Sequence, residues 1–117
     1  MSPEPTDELF GRIADRLKAL SDPNRLKILH LLEDGELNVS EILAAVGGSQ
    51  ANVSKHLARM RLAGLVASRR DGPNVFYRVV DPTAFAICRT VCDALERRAD
   101  DDRRVVRGGR RASGARR

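Results

Sequence analysis

Two groups of side chains in this 117-residue chain have types and spacings that could do chemistry. The first is Ser49, Gln50, Asn52, Ser54, Lys55, His56 and Arg59, a run of short polar and basic residues on a stretch of helical periodicity. Glutamine and asparagine amides can make paired hydrogen bonds to adenine, and a serine hydroxyl can donate or accept. The chemistry on offer is the reading of base edges. Arg69, Arg70 and Asn74 follow in a basic hairpin and suit contact with phosphates or a minor groove. The second group is Cys88 and Cys92, the only cysteines, spaced four apart. Two thiols at that spacing share a helix face. They could hold a thiophilic metalloid or metal ion such as arsenite, antimonite or zinc, or act as an oxidation switch.

Each group has a plainer reading. The Ser49 hydroxyl suits a helix cap. His56 is placed to brace its helix or touch a phosphate rather than bind metal, and Arg69, Arg70 and Asn74 could be ordinary solvated residues. Phe85, Cys88, Cys92, Leu95 and Ala99 form a stripe at helical spacing, so both cysteines could be small buried hydrophobes. Arg89 would lend a neighbouring thiolate some support. A disulfide between residues four apart in a helix has poorly matched side-chain vectors.

Catalysis finds little footing. A thiol oxidoreductase is the best enzymatic alternative, but such enzymes place two residues between their cysteines at a helix N-terminus. Here three intervene in mid-helix, and neither His30 nor His56 pairs with a nucleophile. The expectation is no enzyme.

The elements that must position these groups are legible from periodicity and punctuation. Asp7 to Leu20 carries Leu9, Phe10, Ile13, Leu17 and Leu20 at three- and four-residue spacing, an amphipathic helix. Ser21-Asp22-Pro23 stops it and starts a second helix to about Glu33, ended by Asp34-Gly35. Asn38 and Glu41 have the spacing of a capping box and open a short helix through Ile42, Leu43 and Val46, stopped by Gly47-Gly48. The helix opened by Ser49 follows, with Val53, Leu57, Met60 and Leu62 expected to face inward, and Gly64 ends it. Leu65–Arg70 and Val75–Val80 read as strands joined by the turn Asp71-Gly72-Pro73-Asn74. Asp81-Pro82 opens a last helix from Thr83 to about Ala99.

The expected fold is mainly α with a small β-hairpin, in the order helix, helix, helix, helix, hairpin, helix: a winged helix-turn-helix. Residues 1–6 are expected to be a disordered N-terminus, 7–99 one DNA-binding and dimerisation domain, and 100–117 a disordered Arg-rich tail.

Charge is distributed to match. The chain is +5 overall, but residues 1–102 hold 14 basic and 16 acidic groups, a net of −2, and seven arginines follow Asp102 with no acid. Within the body, residues 49–78 carry Lys55, Arg59, Arg61, Arg69, Arg70 and Arg78 against Asp71 alone. Positive charge concentrated on one segment of a slightly acidic body marks a phosphate-facing surface. The Arg-rich tail also admits a non-specific nucleic-acid-binding protein, whose binding would ignore sequence and fall steeply with salt. No run approaches a membrane span, and the N-terminus lacks the layout of a signal peptide. A cytoplasmic location with reduced cysteines is expected.

The segment from Ala19 to about Asp81 resembles the ArsR/SmtB family of winged-helix repressors. The resemblance rests on Asp22-Pro23-Asn24-Arg25-Leu26, on Ser49-Gln50 with Val53-Ser54 and His56-Leu57, on Arg61 with Ala63-Gly64-Leu65-Val66, and on Tyr77-Arg78. It implies a homodimeric repressor on a pseudo-palindromic double-stranded DNA operator near its own promoter, released by an inducer. Arsenic-sensing members carry a Glu-Leu-Cys-Val-Cys-like segment where this chain has Glu36-Leu37-Asn38-Val39-Ser40. The Asp and His ligands of zinc-sensing members also lack counterparts, since Thr83–Ala99 contains no histidine. Cys88 and Cys92 are what remains for an inducer.

Overall fold

The computed structural model describes residues 4–112. Residues up to Phe85 form one compact unit and those from Ala86 a second, the division falling inside the last helix.

In the first unit each helix begins where a side chain can take up its unpaired amides. Thr6 caps α1 (Asp7–Leu20), accepting from the Leu9 amide at 3.1 Å. Asp22 caps α2 (Pro23–Leu31), accepting from the amides of Asn24 and Arg25 at 2.9 and 3.1 Å ahead of a first-turn proline. A 3₁₀ turn, Leu32–Asp34, then leads into the two-residue strand β1 (Leu37–Asn38). Asn38 opens α3 (Val39–Val46) with a complete capping box: its side chain accepts from the Glu41 amide at 2.8 Å, and the Glu41 carboxylate accepts from the Asn38 amide at 2.9 Å. Gly47-Gly48-Ser49 makes the tight turn into α4 (Gln50–Leu62), capped by the Ser49 hydroxyl on the Asn52 amide at 3.1 Å.

Helix α4 ends in a Schellman motif. Gly64 adopts φ +79°, while its amide donates to Arg61 and the Leu65 amide to Met60, both at 3.0 Å. The chain then forms β2 (Val66–Asp71) and β3 (Asn74–Val79), paired antiparallel with Asp71 opposite Asn74. The loop between them is only Gly72-Pro73. Gly72 at φ +62° followed by proline fits a two-residue hairpin turn of type II′. β1 adds to the outer edge of β3, Leu37 opposite Tyr77, making a three-stranded sheet in the order β1-β3-β2. That third strand was not expected.

The core consists of Ala19 and Leu20 from α1, Ile28 and Leu29 from α2, Leu32, Ile42 from α3, Val53, Leu57 and Met60 from α4, Leu65, Val66 and Ala84. Leu62, expected inside, is 87% exposed. The reason is helical geometry: Val53, Leu57 and Met60 step by four and three along one stripe, and Leu62 lies two residues on, on the far side.

The second unit is the remainder of α5 (Thr83–Ala112). The expected stop near Ala99 is corrected: helix continues through residues 100–112 of the stretch read as a disordered tail. Ion pairs between Asp100 and Arg103 and between Asp101 and Arg104, each three residues apart, support the extra turns. At the other end of the chain, residues 4–6 lie outside the helices, with Thr6 ordered as the α1 cap. Met1–Pro3 and residues 113–117, also expected to be disordered, lie outside the described residues.

Candidate nucleic-acid interface

The stripe that buries α4 fixes what it can present outward. With Val53, Leu57 and Met60 in the core, Ser49, Gln50, Asn52, Ser54, Lys55 and Arg59 are all exposed. Burying three large apolar side chains at roughly 1.5–3 kcal/mol each holds the helix down, so its outer face can be spent on polar groups. Ser49 has a structural duty, since its hydroxyl is committed to the Asn52 amide. Gln50, Asn52, Ser54 and Lys55 form the free polar run at the helix's N-terminal half. Arg59 stands one turn beyond Lys55, in the helix's basic last turn.

His56 does not belong to that face. Only 15% of its side chain is exposed, and it points at the start of α2. Its Nδ1 lies 3.3 Å from an Arg25 Nη1, and its Nε2 lies 3.8 Å from the Asp22 carboxylate. A guanidinium can only donate, so Nδ1 is the acceptor and the proton sits on Nε2, toward Asp22. Arg25 also donates through Nε to the Ala19 carbonyl at 2.7 Å and through Nη2 to the Lys18 carbonyl at 3.2 Å. One guanidinium thereby joins the last turn of α1 to the middle of α4. The Arg25 backbone amide holds the Asp22 carboxyl below its ordinary range, and the Asn24 amide and the Arg25 charge add to the effect. These contacts place His56 against Arg25 and Asp22 at the start of α2.

The hairpin divides its basic residues between two faces. Residues paired across antiparallel strands share a face and neighbours along a strand alternate. Arg69 pairs with Phe76, and Asp71 with Asn74; Arg70 pairs with Val75 on the opposite side. Arg69 is already engaged. Its Nε donates to both oxygens of Glu36 at 3.0 Å, its Nη2 donates to the same carboxylate, and its guanidinium lies 4.5 Å from the centre of the Phe76 ring. The Arg69 hydrogen bonds push the Glu36 carboxyl down, and the same bonds push the Arg69 guanidinium up. Arg69 therefore clasps the wing to the segment before β1. Arg70 and Asn74 are exposed, as is Arg78, which sequence reading counted in the basic segment without placing it at the site. Glu36 sits 33 residues from Arg69, so no local pattern could have revealed the clasp.

The thiols present a separate picture in the second unit. Cys88 is half-buried and Cys92 exposed, and both are free. Burial pushes the Cys88 thiol up; the Glu96 carboxylate, 3.7 Å from Cys92 Sγ, leads the causes that push Cys92 up. Both shifts run opposite to the thiolate support expected from Arg89. Among the described residues, no group of three or more His, Cys, Asp or Glu is placed to hold a metal ion.

The model of the bacterial regulatory protein, arsR family, matches residues 22–68, from the cap of α2 into the wing. The HTH-type transcriptional regulator Rv0081 of Mycobacterium tuberculosis is 35% identical over 97 residues, covering 82% of this chain and 85% of that protein. The chain belongs to the ArsR family. The crystal structure of Rv0081 matches this fold with a TM-score of 0.73 at 33% identity, over 83% of this chain and 98% of that one. The HTH-type transcriptional regulator KmtR from the same organism is 39% identical over 78 residues, or 66% of this chain. This chain spans only 60% of KmtR's length. A homodimeric winged helix-turn-helix DNA-binding domain of Mycobacterium bovis, Mb0332, matches with a TM-score of 0.67 at 33% identity, over 80% of this chain and 91% of that one. As an ArsR-family member with a winged helix-turn-helix fold, the chain is a DNA-binding transcriptional regulator. Among the described residues no helix is long and apolar enough to cross a membrane.

Proposed function

We propose that this regulator is a sequence-specific repressor that binds a pseudo-palindromic operator as a homodimer in the cytoplasm. The observation that carries the reading is the outer face of α4: Gln50, Asn52, Ser54 and Lys55 exposed on a helix locked by Val53, Leu57 and Met60. Those side chains would enter a major groove, with Arg59 and, from the two faces of the wing tip, Arg70 and Asn74 on flanking phosphates or the minor groove. Arg69 and His56 act from behind, holding the wing and the helix in register. α1 supports the dimer, because Leu9, Phe10, Ile13 and Leu17 leave an apolar face exposed. A regulator seated over a promoter blocks transcription by occupancy and needs no catalytic group.

The deciding experiment is binding to a duplex carrying the promoter of the chain's own gene, competed with unrelated duplex. Preference for the promoter supports the reading. Equal competition would return the chain to non-specific nucleic-acid binding.

The inducer is thiophilic in this reading, and Cys88 and Cys92 are the groups that would receive it. Their four-residue spacing on α5 puts both sulfurs on one side of the helix. Arsenite exchanges hydroxyl for sulfur, each thiol proton leaving with a hydroxyl as water, and no thiolate has to be present beforehand. Replacing both cysteines with serine should leave DNA binding intact and abolish release by arsenite. Release that persists in the double variant excludes the site and leaves the cysteines as packing residues.

A further inference from the structure

We propose that Glu36 limits how tightly this regulator holds DNA: its carboxylate occupies the edge of Arg69 that would otherwise take a backbone phosphate. The inference rests on the DNA-binding reading above and concerns a residue outside both α4 and the wing. Its first support is geometry. Arg69 Nε donates to both Glu36 oxygens at 3.0 Å, and Nη2 donates to the same carboxylate. That edge of a guanidinium takes carboxylates and phosphates alike, two N–H groups meeting two oxygens. The Phe76 ring, its centre 4.5 Å from the guanidinium carbon, lies against the plane and steadies it. Arg69 is thus a preformed oxyanion site whose occupant comes from 33 residues away in the same chain.

The second support is charge. The hairpin carries Arg69, Arg70 and Arg78 against Asp71, a net of +2, which Glu36 lowers to +1. The loss falls on one face. Arg69, Asp71, Asn74 and Arg78 share that face by the strand register, with Arg70 on the other. β1 pairs Leu37 with Tyr77, which leads Glu36 toward Arg78 as well. After the Arg69 hydrogen bonds and the Arg69 charge, the Arg78 charge also acts to hold the Glu36 carboxyl down. Two carboxylates therefore balance two guanidiniums there, and an approaching polyanion meets no net attraction from that side of the wing.

The third support is that the clasp is not the wing's only anchorage. Leu37 and Asn38 pair with Tyr77 and Phe76 through the backbone, and the Asn38 capping box fixes the start of α3 beside them. The side chains of Arg69 and Glu36 are 46% and 32% exposed, and an ion pair so open to water adds little to stability. Removing the Glu36 charge leaves these anchors in place and changes mainly the field at the wing.

The test titrates the full wild-type chain, Glu36→Gln and a Glu36→Gln, Arg69→Gln double variant onto the promoter duplex and onto an unrelated duplex, across a series of KCl concentrations. Glutamine keeps the shape of Glu36 and an oxygen that accepts from Arg69, and removes only the charge. Glu36→Gln should bind both duplexes more tightly, by up to about eightfold per chain in about 0.1 M KCl, with a slope of log affinity against log salt steeper by about 0.9 per chain. Adding Arg69→Gln should take that gain away. Weaker binding by Glu36→Gln overturns the proposal and leaves the pair as a mechanical clasp alone. An unchanged slope also overturns it, because Arg69 then reaches no phosphate. A gain confined to the promoter duplex does the same by making Arg69 a base reader. Far-UV circular dichroism checks folding, and Glu36→Ala, which empties the Arg69 edge altogether, replaces Glu36→Gln if that variant is unfolded. Wild-type protein that binds neither duplex at low salt defeats the underlying DNA-binding reading instead.

Discussion

At the scale of the residue, the structure separates side chains that read from side chains that hold. Gln50→Ala or Ser54→Ala should reduce preference for the operator, by roughly 1–3 kcal/mol for a lost base contact, and leave binding to unrelated duplex nearly unchanged. Arg70→Gln should weaken both by similar factors and flatten the salt dependence. Competition titrations on the two duplexes check both outcomes; an unaltered operator preference in Gln50→Ala would mean that another face of α4 does the reading. Asp22 supplies the pH dependence. Its carboxyl is held below the ordinary value of 3.8, so the stability it contributes is complete above that value and disappears as pH falls through the lower folded one. Wild-type and Asp22→Asn chains should differ in denaturant midpoint at neutral pH and converge in strong acid. The sequence discloses the caps Asp22, Asn38 and Ser49, because each acts on amides two or three residues away, while Thr6 falls in the segment expected to be a disordered N-terminus. It cannot disclose that Arg69 belongs to Glu36, or His56 to Asp22 and Arg25, because those partners meet only after folding.

At the scale of the element, stability and visibility follow the same division. Leu57 lies fully buried in the middle of the α4 stripe, and Leu57→Ala should cost about 2–5 kcal/mol of folding stability. Leu62→Ala, on the same helix but exposed, should cost little. Urea denaturation of the two variants distinguishes the observed stripe from the one first read. Asn38→Ala removes one arm of the α3 capping box and should cost about 1 kcal/mol. Helices and hairpin are legible because their periods differ, 3.6 against 2, and because Gly47, Gly64 and Gly72 punctuate them. β1 escapes, being two residues long and defined only by pairing to Tyr77 and Phe76 across the sheet. The end of α5 escapes for another reason: arginine and glycine composition suggests disorder, while Asp-Arg pairs at three-residue spacing favour helix.

At the scale of the whole molecule, the proposed assembly is a dimer whose two α4 helices occupy successive major grooves about 34 Å apart. Sedimentation should show a species of twice the 12.9 kDa chain mass at micromolar concentration, and Leu17→Glu on the exposed face of α1 should shift it toward monomer. A folded wild-type monomer under those conditions removes the architecture. Family and fold were readable from a single sequence because the motifs from Asp22 to Arg78 lie close together in the chain. The occupant of the cysteine pair is not written there, since a two-thiol set lacks the further ligands that would name an ion.

The single guanidinium of Arg25 has a mechanical implication. It grips two carbonyls at the end of α1 and the imidazole of α4 together, so the helix proposed to face the partner and the helix proposed to face DNA cannot tilt independently. A dimer built from such heads behaves like callipers with a stiff hinge. Adding one base pair between half-sites turns them by about 34° relative to each other, and a protein without slack between its two jobs should reject that operator almost outright. Lysine at position 25 could not fill three directions with the same planar fork. Such a variant should tolerate the altered spacing better while binding the original operator less tightly.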